Sequence, residues 1–260
     1  MSGKASIWII CWIFFSETVG EASMKTDRKN ILANITLFIV AVIWGGGFVA
    51  GKMALSGTTP LVVIAYRFGF AALLTFLIFS KRIIHCDLAT VKKGLGIGTL
   101  QAAALGIQLT GLQYTTSAKQ AFLCTAYVAM VPFISWILWQ KKIAVRELAS
   151  GFIALMGIAL ISLQGSLRIG LGDSLSLGFA LLFGIQIVLI GKFSDEKTDI
   201  FAFTFFQFLS AAFWALLICI VRGENLLIYG REAFAGVVYL ILLNTVFAFI
   251  AQNIAQRYTT

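Results

Sequence analysis

Eight long apolar runs divide the chain, and short polar stretches separate them. Each run approaches the length of about 20 residues that a helix needs to cross the hydrocarbon of a bilayer. Turn-forming residues mark several connections, such as 56–60 (SGTTP) and 222–225 (RGEN). The pattern predicts an all-α polytopic membrane protein with eight transmembrane helices, over 33–51, 60–80, 95–113, 120–139, 147–164, 174–192, 200–221 and 234–256.

The composition supports a surface that faces lipid. The 260 residues are 60% hydrophobic and 12% charged, whereas soluble domains carry about 25% charged residues. The net charge of +9 comes from lysines and arginines between the apolar runs, which is typical of membrane-flanking charge and not of a nucleic-acid-binding patch. We therefore expect the lipid bilayer as a partner and no nucleic acid.

The distribution of lysine and arginine predicts the orientation. With the N-terminus in the cytoplasm, 14 basic residues fall on the cytoplasmic side and 5 on the opposite side, while Arg67 lies within a span. Basic residues concentrate in the cytoplasmic loops of membrane proteins. The sequence therefore predicts that both termini lie in the cytoplasm.

Residues 1–29 form an N-terminal segment with two interpretations. The nine-residue apolar run 7–15 (IWIICWIFF) follows Lys4, and it has the length of a signal-peptide core but is too short to span a bilayer. In one interpretation Met24 is the true start, because the strongly basic flank of the first span begins at Lys25. In the other, the run is an interfacial or signal-like segment.

Short sequence matches recur at long range. The third and eighth runs both end in Tyr-Thr-Thr, at 114–116 and 258–260, and at the same offset of 144 positions Gln108 corresponds to Gln252. Single matches of this kind are weak, but further ones follow in the same order along the chain. They pair Arg67-Phe68 with Gln207-Phe208, at an offset of 140, and Trp44-Gly45 with Phe183-Gly184, at an offset of 139.

These matches predict a duplicated architecture. Residues 30–165 would form a first repeat of five helices, and residues 166–260 an incomplete second repeat of three helices. Because five is odd, the second repeat enters the membrane from the opposite side, as in the inverted repeats of many secondary transporters. We expect a truncated form of a ten-helix (5+5) parent that is less stable in detergent than the full form, or that self-associates.

Three stretches of the first half carry a family resemblance. They are 43–52 (IWGGGFVAGK), 66–68 (YRF) and 111–119 (GLQYTTSAK). In these the chain resembles the EamA domain of the drug/metabolite transporter superfamily. The resemblance implies a secondary carrier of the inner (plasma) membrane, an exporter or exchanger of small metabolites, amino acids or drugs. Many relatives have Gly-Glu at the end of the fourth span, where this chain has Gln140 and two lysines.

Polar groups at membrane depth are candidates for the substrate path, because they are costly in hydrocarbon unless they face the bundle interior or a watery cavity. The candidates are Trp44, Arg67, Gln101, Gln108, Lys119, Gln186, Gln207, Asn244 and Gln252. Gln101 and Gln108 share one helical face, and Gln108 could face its counterpart Gln252. Each also has a structural reading, since a glutamine can simply join two helices and a lysine or arginine can reach the membrane surface.

No catalytic, metal or cofactor site is expected. His85 is the only histidine, the four cysteines are far apart, and neither a His-Glu-x-x-His nor a Gly-x-Ser-x-Gly motif occurs. No Asp or Glu lies in the middle of a predicted span, so facilitated diffusion or exchange is a simpler expectation than proton coupling. A non-transporting remnant is the main alternative function, and an intramembrane enzyme is a lesser one.

Overall fold

The computed structural model describes residues 22–140, 170–194 and 198–258, together with Gly151, Ile153 and Met156. These residues are helical apart from short connections. The predicted span 147–164 lies outside the described residues except for those three positions, and so does the apolar run 7–15. The helices are α1 (Ala22–Ala54), α2 (Pro60–Ile84), α3 (Leu88–Gln113), α4 (Ser117–Cys124), α5 (Tyr127–Trp139), α6 (Leu171–Phe193), α7 (Ile200–Arg222), α8 (Arg231–Tyr239) and α9 (Ala248–Ala255).

Seven helical segments in this described part are long and apolar enough to cross a membrane, counting α4 with α5 and α8 with α9 as one segment each. They coincide with seven of the eight predicted runs, which confirms an all-α polytopic bundle. The largest boundary differences are at α1, which begins at Ala22 and not at 33, and at α3, which begins at Leu88 and not at 95. Lys92 and Lys93 in its first turns are polar, so hydropathy alone places them outside the span although they are helical.

Three of the described spanning segments are not continuous α-helices, and α2 is one of them, because its backbone is non-helical at Phe79 (φ −119°, ψ 22°). Between α4 and α5, the amides of Thr125 and Ala126 donate to carbonyls three residues earlier, which tightens the chain into a 3₁₀-like turn. Between α8 and α9, residues Leu240–Phe247 form a π-helical segment. Segments of π-helix are rare in proteins, and those that occur often lie at functional sites.

Capping residues in the connections mark several of the helix ends. Thr59 caps α2, with Pro60 at its first position, and Asp199 caps α7 by accepting from two backbone amides. The α7 helix ends at Gly223, whose φ of 63° is the left-handed conformation that glycine adopts without strain.

The connections define two ends of the bundle. The first loop end carries the connections 55–59, 114–116 and 223–230, and the amide of Tyr229 donates to the Gly57 carbonyl there (3.0 Å). The second loop end carries the connection 85–87 and the one between α6 and α7.

The direction of α6 follows from contacts at these ends. Lys119, just after the connection 114–116, pairs with Asp173 in the first turn of α6, so α6 starts at the first loop end. The α1 helix finishes at that end, and α6 therefore runs antiparallel to α1. Opposite directions for α1 and α6 are what an inverted repeat predicts.

The core lies where α2, α3, α6 and α7 pack together, since α7 contacts α2 and α3 extensively and α6 contacts α3. Gly94 and Gly98 let α3 approach α7 closely: a Cβ at Gly94 would lie 2.7 Å from the Phe203 carbonyl, and one at Gly98 would overlap the Gln207 carbonyl. The outer surface is apolar, with Phe38 70% exposed, as expected of side chains that face lipid.

Candidate functional site

A central cavity of about 190 Å³ lies between α1, α2, α3, the α4–α5 turn, α6 and the π-helical segment. Aromatic rings supply much of its wall, and a few polar side chains interrupt them. The aromatic residues are Trp44, Phe48, Tyr127, Phe179, Phe183 and Phe249, and the main polar residues are Arg67, Gln108, Gln120 and Asn244. Apolar walls with a few placed polar groups are typical of small-molecule sites.

Among the described residues, Arg67 is the only charged one that lines the cavity, and it is 3% exposed. Its Nε donates to the hydroxyl of Thr245, and its Nη2 donates to the side-chain oxygen of Asn244 (2.6 Å) and lies 3.5 Å from the Asn244 carbonyl. The guanidinium also lies 5.3 Å from the ring centre of Phe68. Arg67 therefore joins α2 to the π-helical segment.

The π-helical segment presents Asn244 to α1 and α2. The hydroxyl of Thr245 donates to the Leu240 carbonyl, five residues earlier (2.7 Å), which matches π-helical spacing. The indole of Trp44 donates to the Asn244 carbonyl (3.2 Å). Because this carbonyl bonds to side chains of two other helices, the segment connects the last span (Arg231–Ala255) to α1 and α2 at the cavity.

Gly46 and Gly47 allow α1 to approach the last span. A Cβ at Gly47 would overlap the Asn244 side chain, and one at Gly46 would overlap the Tyr239 hydroxyl. At Gly45, in contrast, a Cβ would meet nothing within 4 Å. The three consecutive glycines thus divide between close packing at 46 and 47 and an open position at 45, which lines the cavity.

Gln108 and Gln120 form the α3 and α4 side of the cavity. The Gln120 amide donates to the Gln108 carbonyl (2.7 Å), and Gln108 lies 3.9 Å from the Cys124 sulfur. Gln120 is fully buried, and its Oε1 has no hydrogen-bond partner in the part of the chain that the structure describes. These contacts hold the short helix α4 against α3.

A separate glutamine cluster lies nearer the second loop end. Gln207 and Gln186 both donate to the Oε1 of Gln101, Gln186 at 3.2 Å. Asn253 donates to Gln207 (3.2 Å) and to Thr204 (2.8 Å). All five side chains are fully buried, so the cluster joins α3, α6, α7 and α9 in the bundle interior.

The predicted site residues thus fall into three groups: those that line the cavity, those in the glutamine cluster and those outside both. Trp44, Arg67, Gln108 and Asn244 line the cavity, and Gln101, Gln186 and Gln207 form the glutamine cluster. Lys119 lies outside both, since its ammonium pairs with Asp173 (2.7 Å). Gln252 is buried in α9 and does not line the cavity, so the structure does not bring it to Gln108 there.

Sequence reasoning missed Thr245 and Asn253. The repeat offset could have found Thr245, because 144 positions separate it from Gln101. The contact between Arg67 and Thr245 then has a counterpart in the contact between Gln207 and Gln101. For Asn253 no such signal exists in the sequence.

A bundle of apolar helices around a polar and aromatic cavity is the architecture of a polytopic membrane carrier. The model of the EamA-like transporter family matches residues 31–163 and 170–260, and the chain belongs to this family. It is a membrane transporter of the drug/metabolite type, and the family resemblance of its first half is confirmed.

Similar proteins support the assignment to a family of transporters. Two uncharacterized transporters of Archaeoglobus fulgidus are 29% identical over 238 residues (89% of this chain and 71% of the relative) and 26% identical over 230 residues (85% and 78%). A solved crystal structure has a TM-score of 0.65 at 16% identity, over 86% of this chain and 79% of that one. At this identity the crystal structure supports the fold alone.

Proposed function

We propose that the protein is a secondary carrier that moves a small organic solute, a metabolite, amino acid or drug, through the central cavity. The supporting observation is that Trp44, Arg67, Gln108 and Asn244 meet there at membrane depth. Buried polar and charged groups inside a bundle mark substrate pathways in membrane proteins. Transport in this proposal leaves the solute chemically unchanged.

The cavity has an opening through which a solute can enter. Ala41, Gly45 and Thr125 belong to the lining and are exposed on the bundle surface, so the cavity opens between α1 and the α4–α5 turn at membrane depth. Toward the second loop end, the bundle interior is filled by Phe68, Phe208 and the glutamine cluster. Alternating access requires a cavity that is closed toward one side of the membrane in each state, and this filled part of the interior supplies such a closure.

The test is to fill the cavity. Gly45→Leu and Ala121→Leu add bulk to its α1 and α4 walls. Gly96→Leu is the matched control, because Gly96 is also a helical glycine with no atom within 4 Å of a Cβ but lies outside the cavity lining. The assay is uptake of radiolabelled amino acids, organic acids and nucleosides by vesicles that contain the full chain.

We expect uptake of at least one of these solutes above that of protein-free vesicles. Gly45→Leu and Ala121→Leu should reduce it toward the protein-free level, whereas Gly96→Leu should retain it. Equal uptake by all three variants contradicts a path through the cavity. Absence of uptake of every solute by the unmodified chain contradicts the carrier function.

We also infer residence in the cell inner membrane with both termini in the cytoplasm. The 14-to-5 distribution of lysine and arginine supports this orientation, which places the second loop end on the cytoplasmic side. A fluorescent protein fused after Thr260 should be bright, and alkaline phosphatase fused there should be inactive. Active alkaline phosphatase would show that the orientation is the opposite one.

A further inference from the structure

We propose that the transported solute carries an anionic group, in the first instance a carboxylate, that binds Arg67 in the central cavity. This inference rests on the proposed function and names the chemistry of its solute. Arg67 lines the cavity and its side chain is almost completely buried. A charge in such a position is strongly stabilised by an opposite charge.

The hydrogen-bond partners of Arg67 among the described residues are all neutral. They are the Thr245 hydroxyl, the Asn244 side-chain oxygen and the Asn244 carbonyl. These acceptors orient the guanidinium and replace part of its hydration, but they do not cancel its charge. Among the described residues, no hydrogen bond involves Nη1 of Arg67.

The described carboxylates that form ion pairs do so with cations other than Arg67. Among the side chains that the structure describes, every carboxylate lies at a helix end or in a connection, and three of them pair with Lys119, Arg82 and Arg222. None of them contacts Arg67. The five carboxylates are Asp87, Asp173, Asp199, Glu224 and Glu232.

The wall beside Arg67 fits the rest of such a solute. Trp44 lies against both Phe183 and Phe249, with ring centroids 5.5 Å and 5.4 Å apart, and all three rings line the cavity. Aromatic faces accept apolar and aromatic bodies, and a guanidinium binds a carboxylate through two parallel hydrogen bonds. The cavity therefore suits a small carboxylate with an apolar or aromatic body.

A purely structural role for Arg67 makes a different prediction. If Arg67 only joins α2 to the π-helical segment, its removal lowers stability equally with and without an anionic solute. If it binds the solute, the charge of the probe decides binding. Four pairs of probes separate these outcomes: phenylacetate, benzoate, indole-3-acetate and hexanoate, each with its neutral amide.

The experiment measures the melting temperature of the full chain in detergent as each probe is titrated. At least one carboxylate should stabilise the chain where its amide does not. Arg67→Gln should weaken that carboxylate's binding by about tenfold or more, and Arg67→Lys should retain more of it. Arg231→Gln removes an equal charge from an exposed helix start and should leave binding unchanged.

The probe pairs decide the outcome even if Arg67→Gln fails to fold. If no carboxylate stabilises the unmodified chain more than its amide does, the proposal that the solute carries an anionic group is wrong. Equal binding by Arg67→Gln and the unmodified chain also overturns the proposal. In either case, uptake of neutral solutes that Gly45→Leu blocks would leave the carrier function standing.

Discussion

Trp44 packs edge-on against Phe183, with ring centroids 5.5 Å apart and ring planes at 74°. The two residues are 139 positions apart, and the predicted repeat pairs them. Phe68 and Phe208, which the predicted repeat also pairs, lie with ring centroids 5.8 Å apart and ring planes at 40°. Residues at matching positions of the two sets of helices thus contact each other at the centre of the bundle.

The pair should be energetically coupled. Trp44→Ala and Phe183→Ala should each lower the stability of the protein, and the double variant should lose less than their sum by about 1 kcal/mol, since aromatic pairs add roughly 0.5–1.5 kcal/mol. Thermal unfolding in detergent measures the cycle. Trp44→Ala combined with Phe76→Ala, which removes a remote ring that packs on Phe205, should be additive. Additivity for Trp44 and Phe183 contradicts the coupling.

Gly47 and Gly45 should respond differently to one added methyl group. Gly47→Ala places a Cβ on the Asn244 side chain, 2.8 Å from its Cγ, and should destabilise the protein by about 1–3 kcal/mol through overpacking. Gly45→Ala meets open space and should be close to neutral. Melting temperatures of both variants test this, and equal values would show that the last span moves away from α1 at no cost.

The helices were predictable from sequence because about 20 apolar residues are a strong signal for a span. The interruptions within spans were not. In the π-helical segment Leu240–Phe247, the Asn244 carbonyl contacts the side chains of Trp44 and Arg67, which are 200 and 177 positions away. No local pattern of residues encodes such partners.

The glutamine cluster should behave as one unit. Gln101→Met leaves the amides of Gln186 and Gln207 without their shared acceptor, which should cost about 1–3 kcal/mol. Replacing Gln101, Gln186 and Gln207 together by methionine removes both donors and acceptor, so the loss should be smaller than the sum of the three single losses. Thermal unfolding of the four variants decides, and a triple loss equal to the sum contradicts the prediction.

Asp173 should stabilise the start of α6 more than Lys119 does. Its Oδ2 accepts from the Gly170 amide (3.0 Å) and from Lys119 (2.7 Å). Asp173→Ala loses both contacts and should cost about 1–2 kcal/mol. Lys119→Met loses only the ion pair, whose lysine is partly exposed, and should cost less than about 1 kcal/mol. A larger effect for Lys119→Met in thermal unfolding contradicts this order.

The site was only partly predictable for a geometrical reason. Gln101 and Gln108 are seven residues apart and share a helical face, but the same seven residues separate them by ~10 Å along the helix axis. Gln108 therefore lies at the cavity and Gln101 in the glutamine cluster. Lys119 matched a family motif position, yet motif identity did not reveal its partner Asp173, 54 positions away.

The predicted repeat pairs Arg67 with Gln207, and only Arg67 is charged. In an assembly of two identical halves, every position occurs twice, so an arginine there would place two guanidinium groups in one bilayer-embedded bundle. Their mutual repulsion and the loss of hydration of both would oppose assembly. Fusion of the two sets of helices into one polypeptide removes this restriction. A single polypeptide can therefore hold a cation at Arg67 and a neutral amide at its predicted counterpart Gln207, so that the charge of the bundle interior differs between the two sets of helices.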